Sequence, residues 1–411
     1  MKVLMLAPSL PFPPHWAAGI RRYEFLRHLS ERHDVSLLTY VSADEVGNVT
    51  ALAELGITVH PVAAPPADRR DRRLAQLASV WSTSSYAARS IFSAAMKEAV
   101  DRLIRSGGFD VVIIETCHMS GFDLGPHAIS VLDEHNIESE LLFRGFLTEG
   151  GPFRRLFNLI ESVKVRREER AAWRRATACL VHSDRERQIL LRKVPGKRAA
   201  VVTNGVHLDE FRIGEEPPDR NAIVFTGAMN YRPNTDAVTF FVRQVFPLIL
   251  DQRPDAIFYA VGVGPPPELR RLAGPNVVIT GRVPDVKPYL RKASVYVAPV
   301  RFGSGTRIKV IEALAAGRPI VSTTLGCEGH DSMLAGVHFL AADDAATFAR
   351  QVLRVLEDRV LASELGQAGR NLVEREYSWP ALLSRLDDFL ADVVPAMERV
   401  ESHQKTARAL T

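Results

Sequence analysis

Short apolar runs of four to seven residues recur along the chain, each followed by a stretch of helical periodicity, and this recurrence constrains the fold more than any single motif. VLMLA (3–7), DVSLLTY (34–40), ITVHPV (57–62), VVIIE (111–115), SVLD (130–133), ACLVHS (178–183) and AAVVTN (199–204) form one series. After Pro217 and Pro218 the pattern restarts with AIVFTG (222–227), AIFYAVG (256–262), NVVITG (276–281), SVYVAP (294–299) and PIVST (319–323). Runs that are apolar throughout, rather than alternating, belong to strands covered on both faces, which is the situation in parallel sheets. Two successive doubly wound α/β sheets with right-handed crossovers are therefore expected, divided between Asn204 and Asp219. A length of 411 residues suits two domains better than one.

Composition removes several classes of function. Net charge is +4 at neutral pH, too small for strong non-specific attraction to nucleic acid, so no nucleic-acid partner is expected. Cys117, Cys179 and Cys327 are far apart with no CxxC spacing, and read as buried small hydrophobes rather than a disulfide framework or a zinc site. The opening MKVLMLAPSLPFPP is too short in its apolar part for a signal peptide, and no later run approaches the ~20 residues that span a bilayer. A cytoplasmic protein is expected, with peripheral contact to the inner face of a membrane left open. Charge is concentrated between Arg144 and Arg198, where fifteen Lys/Arg stand against six Asp/Glu.

The stretch FGSGTRIKVIEALAAGRPIVST (302–323) carries the densest chemistry. It follows the strand SVYVAPV, and ligands of open α/β sheets bind beyond the carboxyl ends of strands. Gly303 and Gly305 let backbone approach a ligand, and a helix beginning near Thr306 offers unpaired N–H groups. Arg307 and Lys309 in its first turn oppose the helix dipole, a small cost that an anion such as a diphosphate would offset. Glu312 falls three residues after Lys309, on the same face, where a carboxylate can accept from two ribose hydroxyls. The plainer alternative is a solvated helix start with a Lys–Glu surface pair.

GSGTRIKVIEALAAGRPIVST resembles the donor segment of the retaining glycosyltransferases of the GT-B fold known as family 4. Glu312-Ala313 matches the second of that family's two glutamates. The first would fall at Ser304, so the chain is closer to a sub-branch that writes GSGTR-x-K-x-x-E-A. TNGVHLDEF (203–211), FTGAMNYRPNTDAV (225–238), VITGRVPDVKPYL (278–290), LDEHNIES (132–139), TTLGCEG (323–329) and REYSWPALLSRL (375–386) resemble other segments of the family. The resemblance implies two Rossmann-like domains facing across a cleft. The first, 1–205, takes the acceptor and is completed by a C-terminal helix, 378–400, that crosses back to it; the second, 206–377, takes the donor.

By that likeness the diphosphate of a nucleotide-sugar lies over Gly303, Ser304, Gly305 and Thr306, with Arg307 and Lys309 as its charge partners. The commoner family pattern places an Arg and a Lys after the strand ending FTG; here Gly227 is followed by Ala228 and, further on, Asn234, so the duty moves to Arg307 and Lys309, with Arg232 a weaker substitute. Glu312 holds the ribose, and backbone at Gly281, Arg282 and Val283 the base. His135, just past a strand end that faces the cleft, stands where the family puts a histidine near the sugar's reacting carbon; the alternative is a loop histidine satisfied by local hydrogen bonds. Gly19, opening the first helix, either lets phosphate or acceptor approach the backbone or is a plain turn glycine.

Such a transfer stabilises the leaving diphosphate with preorganised cations and amides, and no metal or other cofactor is expected. The sequence has no Asp-x-Asp. The implied activity is hexosyl transfer from a nucleotide-sugar to a hydroxyl, in polysaccharide, glycolipid or glycoconjugate assembly. A GT-B nucleotide-sugar epimerase and a non-catalytic two-domain binding protein are the rivals. The basic stretch 153–175 has two readings: a helix on anionic lipid that presents a lipid-linked acceptor, or a helix whose apolar stripe packs on its own sheet. The run RRDRR (69–73) reads as solvated.

Overall fold

The computed structural model describes the chain except residues 15–16, 65–68, 126–127, 149–150, 214–217, 304–305 and 410–411, and except the side chains of 17, 69–74, 148 and 395–409. The chain divides into two units: Met1–Thr203 with Leu383–Thr411, and Asn204–Leu382. The RRDRR run falls on side chains outside the described ones.

In the first unit seven parallel strands form one sheet. They are β1 (Lys2–Ala7), β2 (Asp34–Val41), β3 (Thr58–Ala63), β4 (Val111–Glu115), β5 (Ile129–Glu134), β6 (Ala178–Val181) and β7 (Arg198–Val201). Their order is β3-β2-β1-β4-β5-β6-β7, so the direction of winding reverses between β1 and β4. β4 is buried at all five positions, as a central strand covered on both faces must be. Leu4, Leu6, Val112, Ile114, Leu132, Cys179 and Val181 line one face with Ala172 and Trp173. The helix Ala17–Ser30 follows β1.

The last helix, Trp379–Ala409, starts in the second unit and belongs to the first from Leu383 onward. Leu383, Leu386, Leu390 and Val393 are buried along it. Within the first unit, His28 Nε2 lies 2.9 Å from Asp387 Oδ2, and Arg198 Nη1 donates to the carbonyl of Asp392 at 3.1 Å. The start of this helix is held in the second unit, where Trp379 N donates to the carbonyl of Val206 at 3.3 Å. A Cβ on Gly205 would lie 2.9 Å from the Trp379 indole, so only glycine fits there.

The second unit has six parallel strands: β8 (Ala222–Thr226), β9 (Ile257–Val261), β10 (Val277–Gly281), β11 (Val295–Ala298), β12 (Ile320–Ser322) and β13 (Leu340–Ala341). Their order is β10-β9-β8-β11-β12-β13, with the reversal between β8 and β11. One face carries an aromatic core in which Phe241 lies tilted against Phe258 (centroids 4.5 Å apart), stacks on Phe246 and meets Phe348 edge-on. Each buried phenyl ring contributes roughly 1.5–3 kcal/mol through apolar area removed from water. All twelve apolar runs became strands. β13 was missed because two residues carry no periodicity.

Candidate active site

Each unit gathers charged side chains at the point where its strand order reverses, the place where open parallel sheets bind ligands. In the second unit the chain leaves β8 through Gly227 at φ +149°, and a Cβ there would lie 2.7 Å from Asn234 Nδ2 and 3.0 Å from Lys309 Nζ. Asn234 Nδ2 donates to the carbonyl of Ala228 at 2.8 Å, and its Oδ1 accepts from Lys309 Nζ. The ammonium also lies 4.4 Å from the centroid of the Phe225 ring. Lys309 therefore reaches the Asn234 slot after β8, across 75 residues of sequence.

The helix carrying Lys309 runs Ile308–Ala315, starting two residues later than the sequence suggested. Arg307 is its N-cap in extended conformation, not a first-turn residue, and its backbone N–H donates to His330 Nε2 at 3.2 Å. The Arg307 side chain is buried, and Nη1 donates to the carbonyl of Glu328 at 3.4 Å. Burial pulls His330 down to about 4, so the ring beside this arginine is neutral.

Lys309 and Glu312 form no direct ion pair, which departs from the surface-pair alternative; Asn234 takes the ammonium instead. Both side chains are partly buried in dense surroundings. Burial brings the Lys309 amine down to about 7, with Arg307 acting in the same direction and Glu312 against it. Burial likewise pushes the Glu312 carboxyl up to about 7 against the pull of Lys309 and Lys287.

The other expected donor residues are less concentrated. Gly303 takes φ +126°, with Arg307 Nη2 3.7 Å from where its Cβ would be. Ser304 and Gly305 lie outside the described residues. Thr306 Oγ1 accepts from Asn204 Nδ2 at 3.4 Å, and Arg232 stacks over the Phe302 ring at 5.5 Å. Gly281 turns at φ +71° beside open space, followed by exposed Arg282 and partly buried Val283. Gly19 is buried in the first turn of the helix Ala17–Ser30 of the first unit.

In the first unit His135 stands one residue past β5 and is only 9% exposed. Its Nε2 is 2.6 Å from Glu115 Oε2 at the end of β4 and 3.7 Å from Asp133 Oδ2. Arg21 clamps Asp133 with two bonds (2.7 and 2.8 Å) and donates through Nη1 to the carbonyl of Thr203 at 3.0 Å. Burial alone would raise the Asp133 carboxyl, but Arg21 outweighs it and brings the group to about 2. Arg22 Nε lies 3.3 Å from Glu115 Oε2. The ring of His182 is 5.2 Å from that of His135, and burial keeps His182 well below the usual imidazole range. Sequence reasoning missed Arg21, Arg22, Glu115 and His182. The only local hints were an acid ending the apolar run VVIIE and an arginine pair early in the first helix.

The opposite face of the same sheet holds a second acid cluster. Thr116 adopts φ +66° and ψ 152°, a conformation that costs a non-glycine residue roughly 1–3 kcal/mol. It turns Cys117 to the face of Glu134, whereas Glu115 stays on the face of Asp133. Cys117, Glu134 and Glu169 lie within 4.8 Å of one another through their ligand-capable atoms, as do Glu115, Asp133 and His135. The latter group already has Arg21 and Arg22 as counter-ions. In the former, Trp173 Nε1 donates to Glu134 and Ser139 N to Glu169. Burial raises Glu134 well above the usual carboxyl range and Glu169 to about 7, so these acids hold protons near neutrality. Cys117, Cys179 and Cys327 are buried free thiols, as expected.

The basic helix occupies Pro152–Arg175; its second half packs Val165, Ala172 and Trp173 inward, Ala172 and Trp173 in the core of its own sheet, whereas the apolar residues of its first half do not form a buried stripe. It buries Glu161, Lys164 and Glu169, while Phe153, Leu156 and Val163 are 88%, 56% and 53% exposed. Glu161 and Glu168 are drawn inward by Ser85, Tyr86 and Lys164, which explains why charge faces the protein. Among the described residues no helix is long and apolar enough to cross a membrane.

Residues 220–358 match the family model described as Glycosyl transferases group 1. Over 205 residues the chain is 29% identical to phosphatidyl-myo-inositol mannosyltransferase of Mycobacterium tuberculosis, covering 46% of this chain and 53% of that protein. The chain thus spans about half the length of the curated relatives it matches. Among solved structures, sucrose-phosphate synthase from Thermosynechococcus elongatus superposes with a TM-score of 0.70 at 16% identity, covering 96% of this chain and 100% of that one. HepE of Anabaena in complex with UDP and glucose gives 0.61 at 13% identity, covering 95% and 99%. The fold is accordingly the GT-B class of two Rossmann-like parallel sheets, and its second unit carries the matched Glycosyl transferases group 1 segment.

Proposed function

We propose that the chain is a glycosyltransferase that moves a hexosyl group from a nucleotide-diphosphate sugar to a hydroxyl acceptor, with retention at the anomeric carbon and no metal at the donor site. The observation that carries this reading is Lys309: its ammonium is held by Asn234 beside Gly227 at the β8/β11 reversal, inside the matched segment. Two cations and the amides at the start of the helix Ile308–Ala315 suit a diphosphate. As the bond from the anomeric carbon to the phosphate oxygen breaks, its electron pair passes to that oxygen. Arg307 and Lys309 stabilise the growing charge, worth most in water-poor surroundings. Glu312 accepts from the ribose hydroxyls, Gly281–Val283 flank the base, and His135 meets the sugar. Retention, and assignment to the GSGTR-x-K-x-x-E-A sub-branch, rest on the resemblance of residues 303–313.

Two comparisons bear on substrates. HepE holds UDP and glucose, and the mycobacterial relative is by name a mannosyltransferase acting on a phosphatidylinositol. We take a nucleotide-sugar as donor and a lipid-linked or glycan hydroxyl as acceptor, in glycolipid or polysaccharide assembly at the cytoplasmic face of a membrane. Exposed Phe153, Leu156 and Val163 on a helix rich in arginine suit contact with anionic lipid.

The test is release of nucleoside diphosphate from UDP- and GDP-sugars, with chelator present, with and without lipid extract in anionic vesicles. Acceptor-dependent release is expected. Interconversion of the donor sugar without acceptor would replace transfer by epimerisation, and absence of binding to every nucleotide-sugar would refute both.

A further inference from the structure

β4 and β5 are neighbours in register, with Glu115 opposite Asp133, so two carboxylates end side by side on one buried face. Asp133 is spoken for by the two-pronged bond from Arg21. Glu115 is arranged differently. Its Oε2 meets both His135 Nε2 at 2.6 Å and Arg22 Nε at 3.3 Å, while its Oε1 is buried without a hydrogen-bond partner. Arg22 is itself fixed through Nη1 to the carbonyl and hydroxyl oxygens of Ser9.

An ionised carboxylate can only accept, so His135 must carry its proton on Nε2. That settles the ring's orientation and leaves Nδ1, which makes no hydrogen bond to the described residues, for an outside partner. Glu115, Asp133 and Arg21 are fully buried and His182 and Arg22 nearly so, and the His135 imidazole is the most exposed group of this network.

We infer that Glu115 is a positioning residue for sugar transfer: it accepts from His135 Nε2–H and so aims Nδ1 at a sugar oxygen of the bound substrate. This rests on the proposed transferase reading, in which His135 meets the sugar. The groups facing the imidazole are Glu115 from β4, Asp133 from β5, Arg21 and Arg22 from the helix Ala17–Ser30, and His182 beyond β6. Burial works against a charged ring, but Glu115 and then Asp133 outweigh it, so His135 stays protonated above the usual imidazole range despite Arg21. The charged ring presents Nδ1–H as a donor to an acceptor oxygen.

The test begins with the full chain labelled with nitrogen-15, using long-range correlations of the imidazole nitrogens and His135→Gln to assign the signal. Wild type should show an Nε2–H ring in any neutral fraction and a titration midpoint above 6.5. An Nδ1–H tautomer, or a midpoint at or below 6.5, overturns the inference, and neither reading needs a donor. Glu115→Gln, which can still accept through its amide oxygen, should keep the tautomer while lowering the midpoint. With whichever UDP- or GDP-sugar turns over, the same variant should lower kcat at pH 7.5 by roughly 10- to 100-fold, leave donor KM unchanged, and regain rate as pH falls. A kcat and pH profile equal to wild type would overturn the positioning role while leaving the transferase reading intact. If no donor turns over, the nitrogen spectra still decide the Glu115–His135 pairing, and it is the transferase reading that falls.

Discussion

Replacing Lys309 with Met tests the proposed donor site most directly. The apolar chain fills similar space against Phe225 but removes the ammonium that Asn234 holds beside Gly227. A hydrogen bond to a charged group contributes roughly 1.5–3 kcal/mol, so affinity for UDP or GDP should fall about 10- to 150-fold at pH 7. The pH dependence is more diagnostic. With its pKa near 7, about half of the unliganded molecules carry the Lys309 charge at pH 7, and fewer carry it at higher pH. A diphosphate favours the charged form, so binding above pH 7 should take up a proton and weaken about tenfold per pH unit. Glu312, also near 7, is half ionised at pH 7 and almost wholly ionised by pH 8, so the Lys309 slope is read between pH 8 and 9; the second ionisation of the terminal phosphate lies lower, at ~6. Calorimetry from pH 7 to 9, in two buffers of different ionisation enthalpy, reads both quantities. Wild type should show uptake and the slope; the variant should show neither. Unchanged affinity, or a variant that keeps the wild-type slope, would refute the placement of Lys309 at the diphosphate.

Two stability predictions follow from the first unit. Arg21→Met strands the buried Asp133 carboxylate, a cost of about 3–5 kcal/mol, which should lower the melting temperature by roughly 6–20 °C; adding Asp133→Asn should restore part of it, and an unshifted melt would show the ion pair to be dispensable. Glu169 titrates near 7 in the fold against an ordinary 4.5, so the folded chain holds a proton that the unfolded chain has lost between those values. As far as this group is concerned, stability should therefore be level at and below pH 4.5, decline as pH rises to 7, and then level off again. Glu169→Gln should flatten that decline, and a variant with the wild-type slope would show that the proton resides elsewhere.

The cluster proposed as the donor site could be picked out in the sequence because its pieces are close together. Gly303, Arg307, Lys309 and Glu312 span ten residues, and a strand end, a glycine and a helix start are local events. What the local pattern misplaced was the direction of Lys309: helical spacing pairs it with Glu312, whereas the folded chain offers Asn234, which competes better for the ammonium. The basic helix was legible only in its second half, where Ala172 and Trp173 pack on the sheet, for a similar reason. Its periodicity marks which residues share a face, but buried hydrogen-bonding partners from Ser85 and Tyr86 decided that the acidic face turns inward.

The sequence by itself determined the two parallel sheets, because a strand covered on both faces must be apolar throughout and that requirement is written residue by residue. Only the tertiary structure decided which charges meet. Arg21 finds Asp133 across 112 positions, and His135 finds Glu115 across 20, because neighbouring parallel strands end at the same edge of the sheet. Those partners are set by strand order and register, and no local pattern of residues specifies either.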